Sequence, residues 1–309
     1  MNKERAPKIM QQGLLMPLLF IIPALLILTF FVVYPTINTI GLSFKDAKGE
    51  QSAAVMCQEG QPCWGPFENY RHVLTDEVML LAFRNNALWI ILMVTGTTGL
   101  GLLIAVLVDR VKYEPLAKAV IFLPMAISFV GAGIIWGFVY DYKSYGSQIG
   151  ILNAIVTGLG GKPIPWLTRG PWLNNICLII VGVWMWTGFC MTILSAALKG
   201  VPTEVLEAAR VDGANEWTVF WKVTVPMIMP TITVVITTMV VNVLKIFDIV
   251  YVMGGGQPGV QVIATRMYQE QFIKYNSGLS SAIAVVLLLL IVPVGYMNIR
   301  RFQQQEVMR

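Results

Sequence analysis

Few residues in this 309-residue sequence have types and spacing that could do chemistry, and most of them sit in apolar surroundings. Asn242, Lys245 and Asp248 recur at i, i+3 and i+6 within a run of Val, Ile and Met. On a helix this spacing puts Asn242 and Lys245 on one face and Asp248 at its edge. Polar groups inside a bilayer are unfavourable and usually face a bundle interior or a water-filled path. Asn242, the deepest of the three, is therefore a ligand candidate, while Lys245 and Asp248 are read as an ion pair near the outer interface. Trp184, Trp186 and Phe189 could stack on apolar C–H surfaces of a ligand, or simply pack, a reading that suits Trp184 better than Trp186. Cys57 and Cys63, in CQEGQPC, are either a small-loop disulfide or two free thiols. Their spacing is wrong for a zinc knuckle and the single histidine, His72, is nine residues away, so no metal site is expected. Cys177 and Cys190 read as packing residues. Catalytic patterns fail at definite positions. Gly160-Gly161-Lys162 runs into Pro163 and lacks the Ser or Thr of a phosphate loop, and there is neither an H-E-x-x-H nor a Ser-centred elbow. The chain is read as non-catalytic, with no cofactor of its own.

The elements that must position these residues follow from composition. Hydrophobic residues make up 56% of the chain, charged residues 13%, and the mean hydropathy is +0.68; a soluble domain carries roughly 25% charged residues. A bilayer-spanning helix needs about 20 apolar residues. Six stretches qualify, Gly13 to Tyr34, Ala87 to Val108, Leu116 to Tyr140, Leu173 to Leu198, Met227 to Tyr251 and Ser281 to Ile299. The fold class expected is an all-α membrane protein of about six transmembrane helices. Lys3, Arg5 and Lys8 precede the first stretch as they would a signal peptide, but Leu14 to Val33 is longer than a usual h-region and no small-x-small site follows it, so a retained span is expected. Cytoplasmic loops keep Lys and Arg. Those residues cluster at the N-terminus, at Arg110, Lys112 and Lys118, at Lys199, Arg210 and Lys222, and at Arg300, Arg301 and Arg309. Both termini are therefore expected in the cytoplasm. The net charge of +5 is accounted for by these flanks and needs no nucleic acid as partner.

Among the internal segments only Lys199 to Pro226 is long enough to hold structure. Pro202 suits the first turn of a helix, where its missing N–H is harmless. Val205, Leu206 and Ala209 form an apolar stripe, with Glu204, Glu207 and Arg210 pointing elsewhere. Gly213 interrupts the helix, Asn215 caps a second short helix through Trp217, Phe220 and Val223, and Pro226 marks the start of the next span. The expectation is a helix, a glycine turn and a second helix at the inner membrane face.

Glu207-Ala208-Ala209, Gly213, Val223 and Pro226 resemble the EAA loop of binding-protein-dependent ABC permeases, and Asp212-Gly213-Ala214 matches its extended D-G-A form. The resemblance covers about Pro17 to Arg301. From Lys245 to Pro258 and on through Tyr275, Gly278 and Ala282 it is similar to the maltose-type, carbohydrate-uptake branch, with an extra Gln257 before Pro258; the wording of the fifth span is similar to α-glucoside permeases in particular. The resemblance implies a cytoplasmic stretch 1–12, a transmembrane permease domain 13–299 holding a coupling loop at 199–226, and a cytoplasmic tail 300–309, in a bacterial cytoplasmic (inner) membrane. It implies that Glu207, Ala208, Ala209, Asp212, Gly213 and Pro226 serve a coupling helix that docks on a cytoplasmic ATPase. Implied partners are a second homologous permease subunit, two copies of that ABC ATPase with its ATP and Mg, and a soluble or anchored sugar-binding protein. Counting without gaps from the shared Glu, cargo would lie against Gly182, Met185, Trp186 and Phe189 of the fourth span and Met239, Asn242, Val243 and Ile246 of the fifth. An importer of another small solute, such as a glycerol phosphate, is the alternative, and a secondary transporter is a weaker one.

Overall fold

The computed structural model describes residues 15–49, 67–255 and 257–307, so Cys57, Cys63 and the basic residues Lys3, Arg5, Lys8 and Arg309 lie outside the described residues. Helices joined by short turns build the described chain, and five of them are long and apolar enough to cross a bilayer: Leu19–Leu42, Glu77–Val108, Pro171–Lys199, Glu216–Leu244 and Ser277–Met297. A sixth span forms if Glu114–Ala126 and Phe129–Val139 are taken together.

Pro171–Lys199 is the axis of the bundle. Its 29 residues rise about 43 Å, more than the roughly 30 Å of hydrocarbon. Proline at its first turn satisfies helix start chemistry, and it is the most buried of the spans. Close packing depends on glycine. A Cβ on Gly188 would lie 2.5 Å from the carbonyl oxygen of Ile121, and one on Gly101 would lie 2.7 Å from Cys190 Cβ. At both crossings backbone meets neighbour directly, as small residues allow in membranes. Cys177 and Cys190 are buried in the same core.

Three expectations change. The stretch Leu116 to Tyr140 is not one straight helix. It bends by 99° between Ala126 and Phe129, because Pro124 removes a backbone donor and Ser128 starts a new helix by accepting from Gly131 N at 3.0 Å. The stretch Met227 to Tyr251 also breaks. Its helix ends at Leu244 and resumes as Asp248–Gly254, so Asn242, Lys245 and Asp248 do not share one helix. Finally, Pro226 does not begin a span, since Glu216–Leu244 is continuous through it. The turn before it, Phe220–Thr224, widens to a π-helix. Thr29–Val33 does the same ahead of Pro35. In each case the proline offers no N–H to the carbonyl four residues back and its ring crowds that carbonyl, which an i→i+5 turn relieves.

Charged groups gather at one end of the axis. Lys118 bonds to Asp109 at 2.8 Å and to Glu114 at 2.6 Å, and also to Ser195, while Lys199 reaches Glu114. Ser195 donates to Asp109 at 2.7 Å. The loop after the second span and the end of the fourth thus share one face, as their basic residues led us to expect. Asparagines organise the opposite end. Asn85 donates to the carbonyls of Gly259 and Gln261 at 3.1 and 2.8 Å, Asn175 donates to Gly259 at 3.2 Å, and Asn86 accepts from Ile263 N at 2.8 Å. They pin the segment before the last span across the second and fourth.

The glycine contact yields a test. Gly188→Val would drive a side chain into backbone rather than into a movable side chain, and overpacking of this kind is destabilising by about 1–3 kcal/mol or more. The expected result is a lower melting temperature and poorer recovery of the detergent-solubilised protein, whereas Gly99→Val, at a position with open space around it, should leave both unchanged.

Candidate functional site

Two broken helices meet at one cavity. The bend at Met125 to Phe129 lines a space of about 440 Å³ together with Met185 and Trp186, a size within the range of small-ligand sites. A second space of about 130 Å³ adjoins it, because Phe129 and Trp186 line both, and it extends to Met93, Asn242 and the break from Lys245 to Ile249. Phe129 and Trp186 stack with centroids 6.4 Å apart and 28° between planes, and Phe189 meets Trp186 edge-on at 5.6 Å. Irregular backbone at membrane depth is tolerated where it lines a cavity or is buried in protein, and both breaks satisfy that condition.

The residues expected to hold cargo divide accordingly. Met185, Trp186, Asn242 and Ile246 line the cavity and Phe189 stands beside it. Gly182, Met239 and Val243 do not reach it. Gly182 is a packing seat, where a Cβ would lie 3.0 Å from Met93 Sδ and 3.2 Å from the Trp89 ring. Met239 and Val243 are fully buried in the bundle core. Trp184 packs against Trp136 with centroids 5.7 Å apart, which is the packing role.

Lys245 and Asp248, expected to pair with each other, do not. Both are exposed and line the cavity, and neither side chain forms an ion pair or hydrogen bond with another described residue. The helix break is the reason, since Lys245 caps one helix and Asp248 opens the next. The Asn242 amide likewise makes no hydrogen bond within the described residues. Phe129, Phe247 and the turn 125–128 are cavity residues that the sequence analysis missed. Pro124 followed by Ser128 inside an apolar run was the available signal, because it combines a donor gap with an N-cap.

At the far end of the fifth span the Lys199 to Pro226 segment forms the expected hairpin. Thr203–Val211 is its first helix, with Leu206 and Ala209 half-buried toward the bundle and Glu207, Ala208, Asp212 and Gly213 exposed. Gly213 has φ +86°, Gly213 N bonds to Arg210 O at 3.0 Å and Ala214 N to Ala209 O at 3.1 Å. This pair of bonds is a Schellman stop, which needs a residue in the left-handed region and takes glycine for that reason. Asn215 then caps the next helix by accepting from Thr218 N at 2.8 Å. Arg210 grips Glu216 across the turn, with Nε and Nη2 donating at 2.7 and 3.3 Å. The pair is largely solvated, so it orients the hairpin more than it stabilises it. Trp217 and Trp221 lie exposed on the second helix.

Comparison with known proteins agrees with this architecture. Residues 9–299 match the family model described as binding-protein-dependent transport system inner membrane component. The osmoprotective compounds uptake permease protein GgtC of Synechocystis sp. is 53% identical over 94% of this chain and 100% of its own. The alpha-glucoside transport system permease protein AglF of Rhizobium meliloti is 45% identical over 94% of this chain and 83% of its own. In fold, a chain of a bacterial ABC transporter involved in the import of the acidic polysaccharide alginate superposes with a TM-score of 0.74 at 21% identity, covering 93% of this chain and 96% of that one. The broken helices, the shared cavity and the capped hairpin are thus features of a chain that belongs to the family of inner membrane components of binding-protein-dependent transport systems.

Proposed function

We propose that this chain is the permease subunit of an ATP-driven importer and that its cargo is a sugar, an α-glucoside or a short oligosaccharide, delivered by a periplasmic or extracellular binding protein. The observation that carries the reading is the cavity between the two helix breaks. A sugar offers an apolar C–H face and a rim of hydroxyls. Phe129 and Trp186 supply aromatic surface for the first, while Asn242, Lys245 and Asp248 supply unpaired donors and acceptors for the second. The names of the two similar permeases, one for osmoprotective compounds and one for alpha-glucosides, support the same class.

ATP and Mg belong to a separate cytoplasmic ABC ATPase, present in two copies, and a second homologous permease subunit completes the translocation path. The hairpin is the docking element. Glu207 is exposed and suited to a charge-assisted bond with a basic group of the ATPase, Ala208 permits close approach, Asp212 and Gly213 shape the turn, and Pro226 lies inside the continuous helix that follows, behind its widened turn. Closure of the ATPases draws the hairpins together and opens the cavity outward, and hydrolysis resets it. Both termini lie in the cytoplasm, so a reporter active only in the periplasm should be silent when fused after Arg309.

The coupling role is tested by Gly213→Pro, because proline can neither adopt φ +86° nor donate to Arg210 O. The variant should still insert and assemble with its permease partner, yet lose uptake in proteoliposomes; normal uptake would refute the assignment. The cargo role is tested by Asn242→Leu. Losing a buried hydrogen-bond partner is worth about 1–3 kcal/mol, so uptake per assembled complex should fall roughly 5- to 150-fold, with ATPase activity still stimulated by the loaded binding protein. Unchanged uptake per complex would remove Asn242 from the site.

A further inference from the structure

Beyond the cavity, on the side away from the coupling hairpin, four aromatic rings form a contiguous cluster. Phe247 stacks on Tyr251 at 5.1 Å and 18°, Tyr268 meets both at 5.1 and 5.0 Å, and Phe272 lies 4.8 Å from Tyr268. The rings come from separate elements, the break after the fifth span, the short helix Asp248–Gly254 and the segment pinned by Asn85 and Asn86. Phe247 belongs to both features, since it also lines the cavity with Trp186 and Asn242. The cluster is open, with Tyr251 39% and Phe272 60% exposed.

Its polar surroundings argue against lipid or an apolar partner helix as occupant. Asp248 and Tyr251 are i and i+3 on one helix and so share a face, and exposed Lys245 stands at the same break. The Tyr251 and Tyr268 rings meet edge to face with centroids 5.0 Å apart, which holds each ring against the other. Covering this surface with hydrocarbon would strip two charges and the phenol oxygens of water without replacing it. A pyranose ring fits instead, with its C–H face on aromatic carbon and its hydroxyls on the charged and phenolic groups.

We propose that Phe247, Tyr251, Tyr268 and Phe272 form a second sugar-ring subsite at the mouth of the cavity, so that the importer favours glycosides of two or more rings over those of one. The proposal rests on the sugar reading above, with the first ring held at Phe129, Trp186 and Asn242 and the second on the cluster.

The test uses the complete complex with its binding protein in proteoliposomes, supplied with methyl α-glucoside as the one-ring probe and with trehalose, maltose and sucrose as two-ring probes. Uptake is measured per assembled complex and referred to the ATPase stimulation that each loaded binding protein gives, which separates passage from delivery. Tyr251→Ala and Phe272→Ala should each lower the ratio of two-ring to one-ring uptake about fivefold, the size of one lost ring-stacking contact. Tyr251→Phe keeps the ring and loses only the hydroxyl, so it should lower the ratio less than Tyr251→Ala. An unchanged ratio in both alanine variants overturns the subsite, as does an equal fall for both sugar classes, which would mark the cluster as structural or as a seat for the partner subunit. Import of the one-ring probe alone by the unaltered complex overturns the subsite while leaving the sugar reading intact, and import of none of the four overturns both.

Discussion

A helix inside a bilayer can break only where each freed backbone group finds a partner or a wet cavity, because hydrocarbon offers neither donor nor acceptor. The rest of this structure is arranged around that constraint. Ser128 supplies the acceptor for the new helix at one break. At the other, Asn86 lies within 3.5 Å of the Val243 carbonyl while its oxygen takes Ile263 N. One asparagine thus serves both the interrupted fifth span and the segment that follows it. The two breaks face each other across Trp186, and the space they leave is the candidate cargo site.

The two ends of the bundle use different chemistry for the same purpose. At the hairpin end, charges tie three elements together through Lys118, Asp109, Glu114 and Lys199, and Arg110 lies close enough to Glu216 for their charges to interact. At the opposite end Asn85 and Asn175 bind the carbonyls of Gly259 and Gln261, Asn86 takes Ile263 N, and the buried Glu270 pairs with Arg266 and Lys274 within the same segment. Ion pairs rearrange with modest loss when solvated, whereas buried amide networks are all-or-nothing. The hairpin end is accordingly the one suited to shifting contacts, and the amide end to holding shape.

Legibility in the sequence followed the strength of the local signal. The spans were plain because apolar length is dictated by bilayer thickness, and the hairpin was plain because Gly213 and Asn215 are stop and start signals with fixed geometry. The helix breaks were hidden. Lys245 and Asp248 looked like partners at helical spacing, and only tertiary contacts from Asn86 reveal that no helix runs between them. Gly182, Met239 and Val243 were placed toward cargo by register alone, yet they face the core, since a count along the chain carries no information on how a span is rotated. Asn85, Asn86 and Asn175 drew no notice because an asparagine near a span end has many possible partners, and the chosen ones lie up to 177 residues away.

The unbroken run from Glu216 to Leu244 has a mechanical consequence. Its 29 residues make a rod about 43 Å long, with the hairpin at one end and Asn242 near the other. Pivoted at the hairpin, a tilt of only about 10° would sweep the far tip through about 7 Å, more than a full helical turn. A rod of this length would magnify at its far tip any tilt made at the hairpin. The weak points of such a rod are the wide turn before Pro226 and the position of Pro230 inside the helix, where the hydrogen-bond ladder lacks a donor and a tilt would be spent in bending.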